Sequence, residues 1–350
     1  MQKNTDISLN VKRNNLTLLY KALIDLKSAT RAEIAQWTQI SITAVRSLLE
    51  ELRRKGEVVE LSQDQSTGGR RATRYALNPE TNRILALYYL NYEIIYRGCT
   101  LTGEILHEGT EHKSVYQSTK HPDALIHHCI ETRHVVAIDL GVPGIVDDSN
   151  YINRQDLNTW ETHEIGTQIK NTYQLPIVLK NDLNAMAAGY AYRLADAENA
   201  DLVYLHINQG CLCAGLIVAG RVLHGASRFA GEFSDMPFDA SRTLLDVLKQ
   251  DADGSMLPVV IARILHILSC VSNPSLVILG GERLQTRDLP QLLEKIKQCM
   301  DQCIPQRMQP KIILRPEFRD DYLLGLMKLS IEQLVPQIIN QYGSDEYGNH

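Results

Sequence analysis

Two clusters of residues combine types and spacing that could do chemistry. The first is Lys180-Asn181-Asp182-Leu183-Asn184, between an apolar run at residues 175–179 and a helical run at residues 185–195. Polar residues just past a strand end, at the start of a helix, stand where α/β sheets hold ligands. Asp182 could accept a ligand hydroxyl or act as a general base, or it could simply cap the helix. Asn181 could both donate and accept. The second cluster opens at Ser41, a plausible N-cap. Behind it Ala44, Val45, Leu48, Leu49 and Leu52 recur at helical spacing as an inward stripe. That leaves Ile42, Thr43, Arg46 and Ser47 on the outer, early part of the helix. An arginine there can reach a guanine edge or a phosphate, and hydroxyls can contact either.

The elements around Ser41 fit that use. A first helix is predicted over residues 15–26, and a second opens at Thr30-Arg31-Ala32-Glu33, whose ends have capping-box spacing. Ile34, Ala35 and Trp37 fall on its expected inner side, and the short turn Thr38-Gln39-Ile40 leads to the Ser41 helix. Two short helices joined so tightly can lay the later one in a major groove. Gly56 stops that helix, and strands are predicted over residues 57–61 and 73–77. Between them Gly68-Gly69-Arg70-Arg71 gives a polar hairpin tip, with Gly69, Arg70 and Arg71 placed to meet a DNA backbone or minor groove. The whole reads as a winged helix-turn-helix over residues 1–78, although three-helix units with a hairpin also serve as protein-binding modules.

Charge agrees with the DNA reading. The 350-residue chain has a net charge of −5. Residues 1–78 carry 13 Lys/Arg against 8 Asp/Glu, and the remainder 23 against 33. A basic head on an acidic body suits a polyanionic partner of the head. The length suggests two or three domains, and 44% hydrophobic with 22% charged residues is ordinary globular composition. No apolar run approaches the roughly 18–20 residues that span a bilayer, so no membrane partner is expected. The N-terminus has no signal-type apolar stretch, and the expected location is cytoplasmic. Seven scattered cysteines read as reduced thiols, mostly small buried side chains. Neither Cys211-x-Cys213 nor Cys299-x-x-x-Cys303 has a second pair at zinc spacing, so no metal or other cofactor is expected.

Beyond residue 78 the chain alternates strands and helices. A meander is predicted over residues 84–90, 94–101 and 104–108. Further strands fall at residues 135–140, 175–179, 202–207, 214–218 and 275–279. Several stretches then resemble one family in order and spacing. They are Gly68-Gly69-Arg70-Arg71, the run from Ile138 through Gly144 to Asp147, the run from Leu175 through Asn181-Asp182 to Ala185, the run from Phe229 through Gly231-Glu232 to Asp235, and Asn273-Pro274 through Gly280-Gly281. This pattern resembles the ROK family (repressor, open reading frame, kinase) from about Asn14 onward.

The resemblance implies an α/β fold in which a winged helix-turn-helix precedes a two-lobed, actin-like (ribonuclease H-like) body of the ATPase type. The lobes are expected at residues 79–195 and 196–350, with C-terminal helices returning to the first. In family kinases an Asn-Asp pair and a Gly-Glu segment hold the sugar, with the Asp as base. Those places match Asn181, Asp182 and Glu232, and with Gly144 and Asp235 they form the expected effector site. The departures carry weight. The family kinases' Asp-x-Gly-x-Thr phosphate loop falls at Tyr88, Leu90 and Tyr92, where bulk denies a phosphate the close approach that glycine gives. Cys211 and Cys213 stand where a second phosphate segment has glycines. The family's zinc module is missing, and Asp235 stands where its histidine is expected.

The expected function is DNA-binding transcriptional regulation, by a repressor of carbohydrate-related genes that is not an enzyme and has no catalytic residue. Its partners would be a double-stranded DNA operator, a sugar or sugar-derivative effector, and further copies of itself as a homodimer or homotetramer. An ATP-dependent sugar kinase, or a regulator answering to a protein instead of a sugar, are the alternatives.

Overall fold

The computed structural model describes residues 2–61, 72–81, 83–90, 93–112, 123–147, 149–156, 159–285 and 288–345. The hairpin-tip residues Gly69, Arg70 and Arg71 therefore lie outside the described residues, as does Tyr92.

The N-terminal unit holds α1 (Gln2–Leu26), β1 (Ala29–Thr30), α2 (Arg31–Thr38), α3 (Ile42–Arg54), β2 (Val58–Leu61) and β3 (Arg74–Leu77). The strands form an antiparallel sheet in the order β1-β3-β2. Local chemistry sets the helix starts. Thr30 and Glu33 form a reciprocal capping box, and the Ser41 side chain accepts the Ala44 N–H at 3.3 Å. Gln39 closes α2 with a left-handed φ of 58°, and Gly56 (φ 75°) follows α3. Leu19, Tyr20, Leu23, Ile34, Val45, Leu49, Leu52 and Tyr75 make the core. Two expectations need correction. α1 begins well before residue 15, and Trp37 is exposed. Ile34 and Thr38, one turn apart, take the buried stripe of α2, which leaves Trp37 about 100° off it.

The body is built on two five-stranded sheets. The first has the order β11-β7-β4-β5-β6. It contains β4 (Arg83–Leu90), β5 (Glu93–Thr100), β6 (Ile105–His112), β7 (Val135–Val142) and β11 (Ile177–Asn181), and the meander β4-β5-β6 is antiparallel. β7 pairs parallel with β4 and β11, and its residues are buried on both faces. That is why it reads as a nearly continuous apolar run. α4 (Asp123–Arg133) and α5 (Ile165–Tyr173) lie on one face of this sheet. A separate antiparallel ribbon of β8 (Ile145–Asp147), β9 (Asn150–Asp156) and β10 (Thr159–His163) rises from the end of β7. Sequence patterning missed β9 and β10 because polar residues fill them and β10 is mostly exposed.

α6 (Asp182–Tyr192) leads from β11 into the second sheet, ordered β14-β13-β12-β15-β16. Its strands are β12 (Leu202–Ile207), β13 (Leu212–Val218), β14 (Arg221–Val222), β15 (Leu276–Gly280) and β16 (Lys311–Leu314). α7 (Leu244–Gln250), α8 (Met256–Val271) and α10 (Leu289–Asp301) cover its far face, and the one-turn α9 (Glu282–Gln285) follows β15. The final helix, α11 (Arg319–Asp345), returns between the sheets beside α6 and against β4, β7 and β11. The two helices touch backbone to backbone. A Cβ at Gly189 would meet the Asp321 carbonyl, and one at Gly325 would meet that of Ala185. Fully buried Asp321 pins the start of α11 through Arg193 at 3.0 Å and through Arg315. Among the described residues no helix is long and apolar enough to cross a membrane.

Candidate functional site

The sequence singled out two surfaces, and the structure presents both. On α3, Ser41, Ile42, Thr43, Arg46 and Ser47 are all exposed, while Val45, Leu48, Leu49 and Leu52 are buried. Ile42 is 58% exposed, which nothing in the unit's own packing requires. The Arg46 guanidinium donates to Glu50 Oε1 at 2.8 Å along the helix surface, an exposed pair easily exchanged for another anion. The outer row thus offers two hydroxyls, one cation and one aliphatic group on a single helix face.

The second surface is the cleft between the sheets. A cavity of about 210 Å³ opens there, smaller than the roughly 300–1,000 Å³ of drug-sized sites and suited to a small polar molecule. Gly144, Asn181, Asp182, Glu232 and Asp235 all line it. They come from four places in the chain: the β7–β8 turn, the β11–α6 junction, the loop after β14 and the short turn at Phe233–Asp235. Gly144 has φ 95°, and a Cβ there would run into the Ile152 carbonyl. The tight turn therefore needs glycine.

Asn181, not Asp182, caps α6. Its Oδ1 accepts the Asn184 N–H at 2.9 Å, and its Nδ2 donates to the Gly144 carbonyl at 2.9 Å. The amide thereby ties the β7–β8 turn to the helix start. Asp182 is left half-buried at the cleft, with Oδ1 accepting the Leu183 N–H at 2.8 Å. Burial, reinforced by the nearby Glu232 carboxylate, pushes its pKa up to about 7 against the pull of that N–H. Glu232 accepts the Cys213 thiol at 3.1 Å. Ser234 Oγ accepts the Leu212 N–H at 2.9 Å, which fixes the turn against β13. Such carboxylates, set beside amides and cations, can bond the hydroxyls of a polyol, and Asp182 is poised near neutrality as a proton acceptor.

Several lining residues were not singled out from sequence, among them Trp160, Arg228, Lys249 and Asn153. Trp160 offers an aromatic face from β10, and Arg228 and Lys249 bring cations. They sit on a ribbon, a loop and an exposed helix face, where single residues carry no periodic signal. Cys211 and Cys213 also line the cleft, and Cys270 and Cys303 are exposed. The expectation of buried cysteines thus holds for Cys99 and Cys129.

Tyr88 sits on β4 opposite Gly141 of β7 and is fully buried. Its ring lies 4.1 Å from that of Tyr322 on α11. A Cβ at Gly141 would strike the Tyr322 ring, so that glycine makes room for the second tyrosine. The strand end where the phosphate loop was sought is filled with aromatic rings. Leu90 closes β4.

Residues 100–245 match the sequence profile of the ROK family. That segment, about two fifths of the chain, resembles the ROK family. The xylose repressor of Caldicellulosiruptor bescii is 26% identical over 233 residues, 63% of this chain and 58% of that repressor. The chain spans about three fifths of the length of the curated repressors it matches. Among solved structures, a ROK family transcriptional regulator described as a homologue of the E. coli MLC protein has a TM-score of 0.68 at 18% identity. That match covers 96% of this chain and 99% of the other. The ROK hexokinase of Thermus thermophilus has a TM-score of 0.53 at 17% identity, covering 72% and 99%. The two-lobed α/β body therefore has the fold seen in ROK proteins, and the chain is similar in sequence to DNA-binding repressors and in fold to sugar kinases.

Proposed function

We propose that the chain is a sequence-specific DNA-binding regulator, a repressor of carbohydrate-related genes, and not an enzyme. The observation that carries this reading is the exposed row Ile42, Thr43, Arg46 and Ser47 on a capped helix after a tight turn. The N-terminal unit is read as a winged helix-turn-helix, with the β2–β3 pair as the wing and α3 in the major groove. Names of relatives at low identity, such as the xylose repressor, support the same class. Two heads in a homodimer would engage a two-fold operator. The cleft around Asp182, Glu232, Asp235 and Gly144 is the effector site, with Asn181 holding its walls together. A sugar or sugar derivative binding there would shift the lobes and change the spacing of the heads, provided it prefers one spacing.

The test is selection of genomic DNA by the purified chain at physiological salt, followed by Arg46→Ala. The expected result is a short inverted repeat, with the substitution weakening binding by about 1–3 kcal/mol and relaxing one position of the site. Unchanged affinity and unchanged preference in Arg46→Ala would remove α3 from the groove.

One observation favours a sugar kinase instead: Asp182, with a pKa of about 7 beside Glu232, has the character of a general base. The buried Tyr88–Tyr322 pair opposes it, because phosphoryl transfer needs close backbone approach and charge neutralisation at the phosphates. ATP-dependent phosphorylation of a hexose, abolished by Asp182→Asn, would establish the kinase reading.

A further inference from the structure

A second, larger cavity of about 630 Å³ runs along β11, the edge strand of the first sheet. Its volume falls within the usual range for small-molecule sites. The β7–β8 turn, the loop at residues 224–228 and the later half of α11 close it in. Lys180, His224, Arg228, Gln333 and Gln337 supply its polar lining, and the effector reading makes no use of it. Gly144, Ile145, Asn181, Asn184 and Arg228 separate it from the smaller cleft, since they line both.

Among the described residues its cations have no carboxylate at ion-pair distance, and neither Lys180 nor Arg228 forms an ion pair. Lys180 Nζ donates to the neutral Gln333 Oε1 at 2.9 Å. Arg228 donates to the Val146 carbonyl, another neutral partner. The backbone goes to some trouble to place that arginine. Arg228 has φ 59°, a left-handed conformation that a non-glycine residue adopts at a cost. It sits between Gly225 and Gly231, both also at positive φ. The nearby acids are poorly placed to neutralise the pair. Asp147 is exposed at the rim, and Glu332 lies on the next position of α11 beside Gln333. Asp139 is fully buried, takes the Ser330 hydroxyl at 2.6 Å, and is pushed up to about 7 by that burial; it and Glu332 act on Lys180 only through space, while burial lowers the Lys180 pKa. Burial also lowers His224, and the charges of Arg228 and Lys180 lower it further.

We propose that this cavity is a second ligand site, distinct from the effector cleft, which takes a small anion through a phosphate or carboxylate group held between Lys180 and Arg228. A planar guanidinium binds either group in bidentate fashion, and an ammonium lining the same cavity adds a point charge. Anion binding would draw Lys180 away from Gln333 and supply a direct counter-charge.

The test is calorimetric titration of the full chain near pH 7 with inorganic phosphate, glycerol 3-phosphate and citrate, and with glycerol as the uncharged control. At least one anion should bind at one site per chain, and glycerol should not. Lys180→Met and Arg228→Met should each weaken that binding tenfold or more, with partial recovery in Lys180→Arg. Asp182→Asn, which alters only the smaller cleft, should leave it unchanged. Binding of the phosphates alone would name phosphate as the group, and binding of citrate alone would name carboxylate. No anion binding up to millimolar concentration overturns the proposal, as does binding that survives both methionine substitutions. Equal loss in Asp182→Asn also overturns it, because the cavity would then be an extension of the cleft. Operator binding plays no part in these readouts, so the site stands or falls apart from the DNA reading.

Discussion

Asp182 concentrates the chemistry of the cleft in one carboxyl group. In the absence of ligand its raised pKa favours the protonated form in the folded state. Its contribution to stability is therefore full below the unfolded value near 3.8 and is lost as pH rises through about 7. Asp182→Asn is expected to flatten the fall in melting temperature between pH 5 and pH 8 and to raise stability at the alkaline end. A fall unchanged by the substitution would place the titration elsewhere, with Asp139 the next group to examine. The ionised carboxylate is the stronger hydroxyl acceptor. Polyol affinity should therefore rise from pH 6 to pH 8 in the native chain and lose that dependence in Asp182→Asn. The rest of the site divides into residues readable from sequence and residues that were not. Asp182 and Glu232 stand out by type and by their place after a strand or a glycine. Arg228 does not, because a lone arginine in a loop looks like any solvated cation until the fold shows what it faces.

At the scale of elements, the crossing of α6 and α11 decides how the lobes meet. Gly189 and Gly325 allow the two backbones to touch, and Asp321 anchors the crossing by pairing with Arg193 and Arg315. Gly325→Ala puts a methyl group onto the Ala185 carbonyl, within the turn that follows Asp182. Overpacking of this kind typically costs about 1–3 kcal/mol. The expected result is a lower melting temperature together with a weaker polyol response in the cleft. Native stability in Gly325→Ala would mean that the helices can separate freely. Helix starts were legible because capping is local: Thr30 with Glu33, and Ser41 with Ala44, are settled within one turn. β9 and β10 were not, because ribbon strands with little buried surface need no apolar alternation.

Across the whole molecule, one hydrophobic cluster joins the head to the body. Leu19 and Leu23 of α1 belong to the same cluster as Leu334, Val335, Ile338 and Ile339 of α11. α1 packs on α11 directly, and Lys328 and Glu332 of α11 act electrostatically on Asp25 of α1. Leu329, Gln333 and Gln337 of the same helix line the larger cavity, and Pro336 interrupts the helix between the two glutamines. A single element thus touches the head, the central crossing and a ligand-sized space. Ile338→Ala, at a position 2% exposed, is expected to cost about 2–5 kcal/mol. Hydrogen exchange should then quicken in α1 as well as in α11. Faster exchange confined to α11 would show that the head is held by its own core alone.

By itself the sequence determined the local grammar of this protein. It specified the capped helix pair, the basic head, the apolar strands of the two sheets, and the bulky Tyr88 and Leu90 where the resemblance places a kinase's phosphate loop. Each of these is written within a few consecutive residues, in periodicity, capping and side-chain size. The tertiary structure alone decided which distant groups meet. It brought Asp182 beside Glu232, set Tyr322 against Tyr88, made Asn181 the cap, and left Lys180 and Arg228 facing one cavity with neutral hydrogen-bond partners. Those outcomes depend on sheet order and on the angle of one helix crossing, which arise from the packing of the whole chain and leave no periodic trace in any short stretch of it.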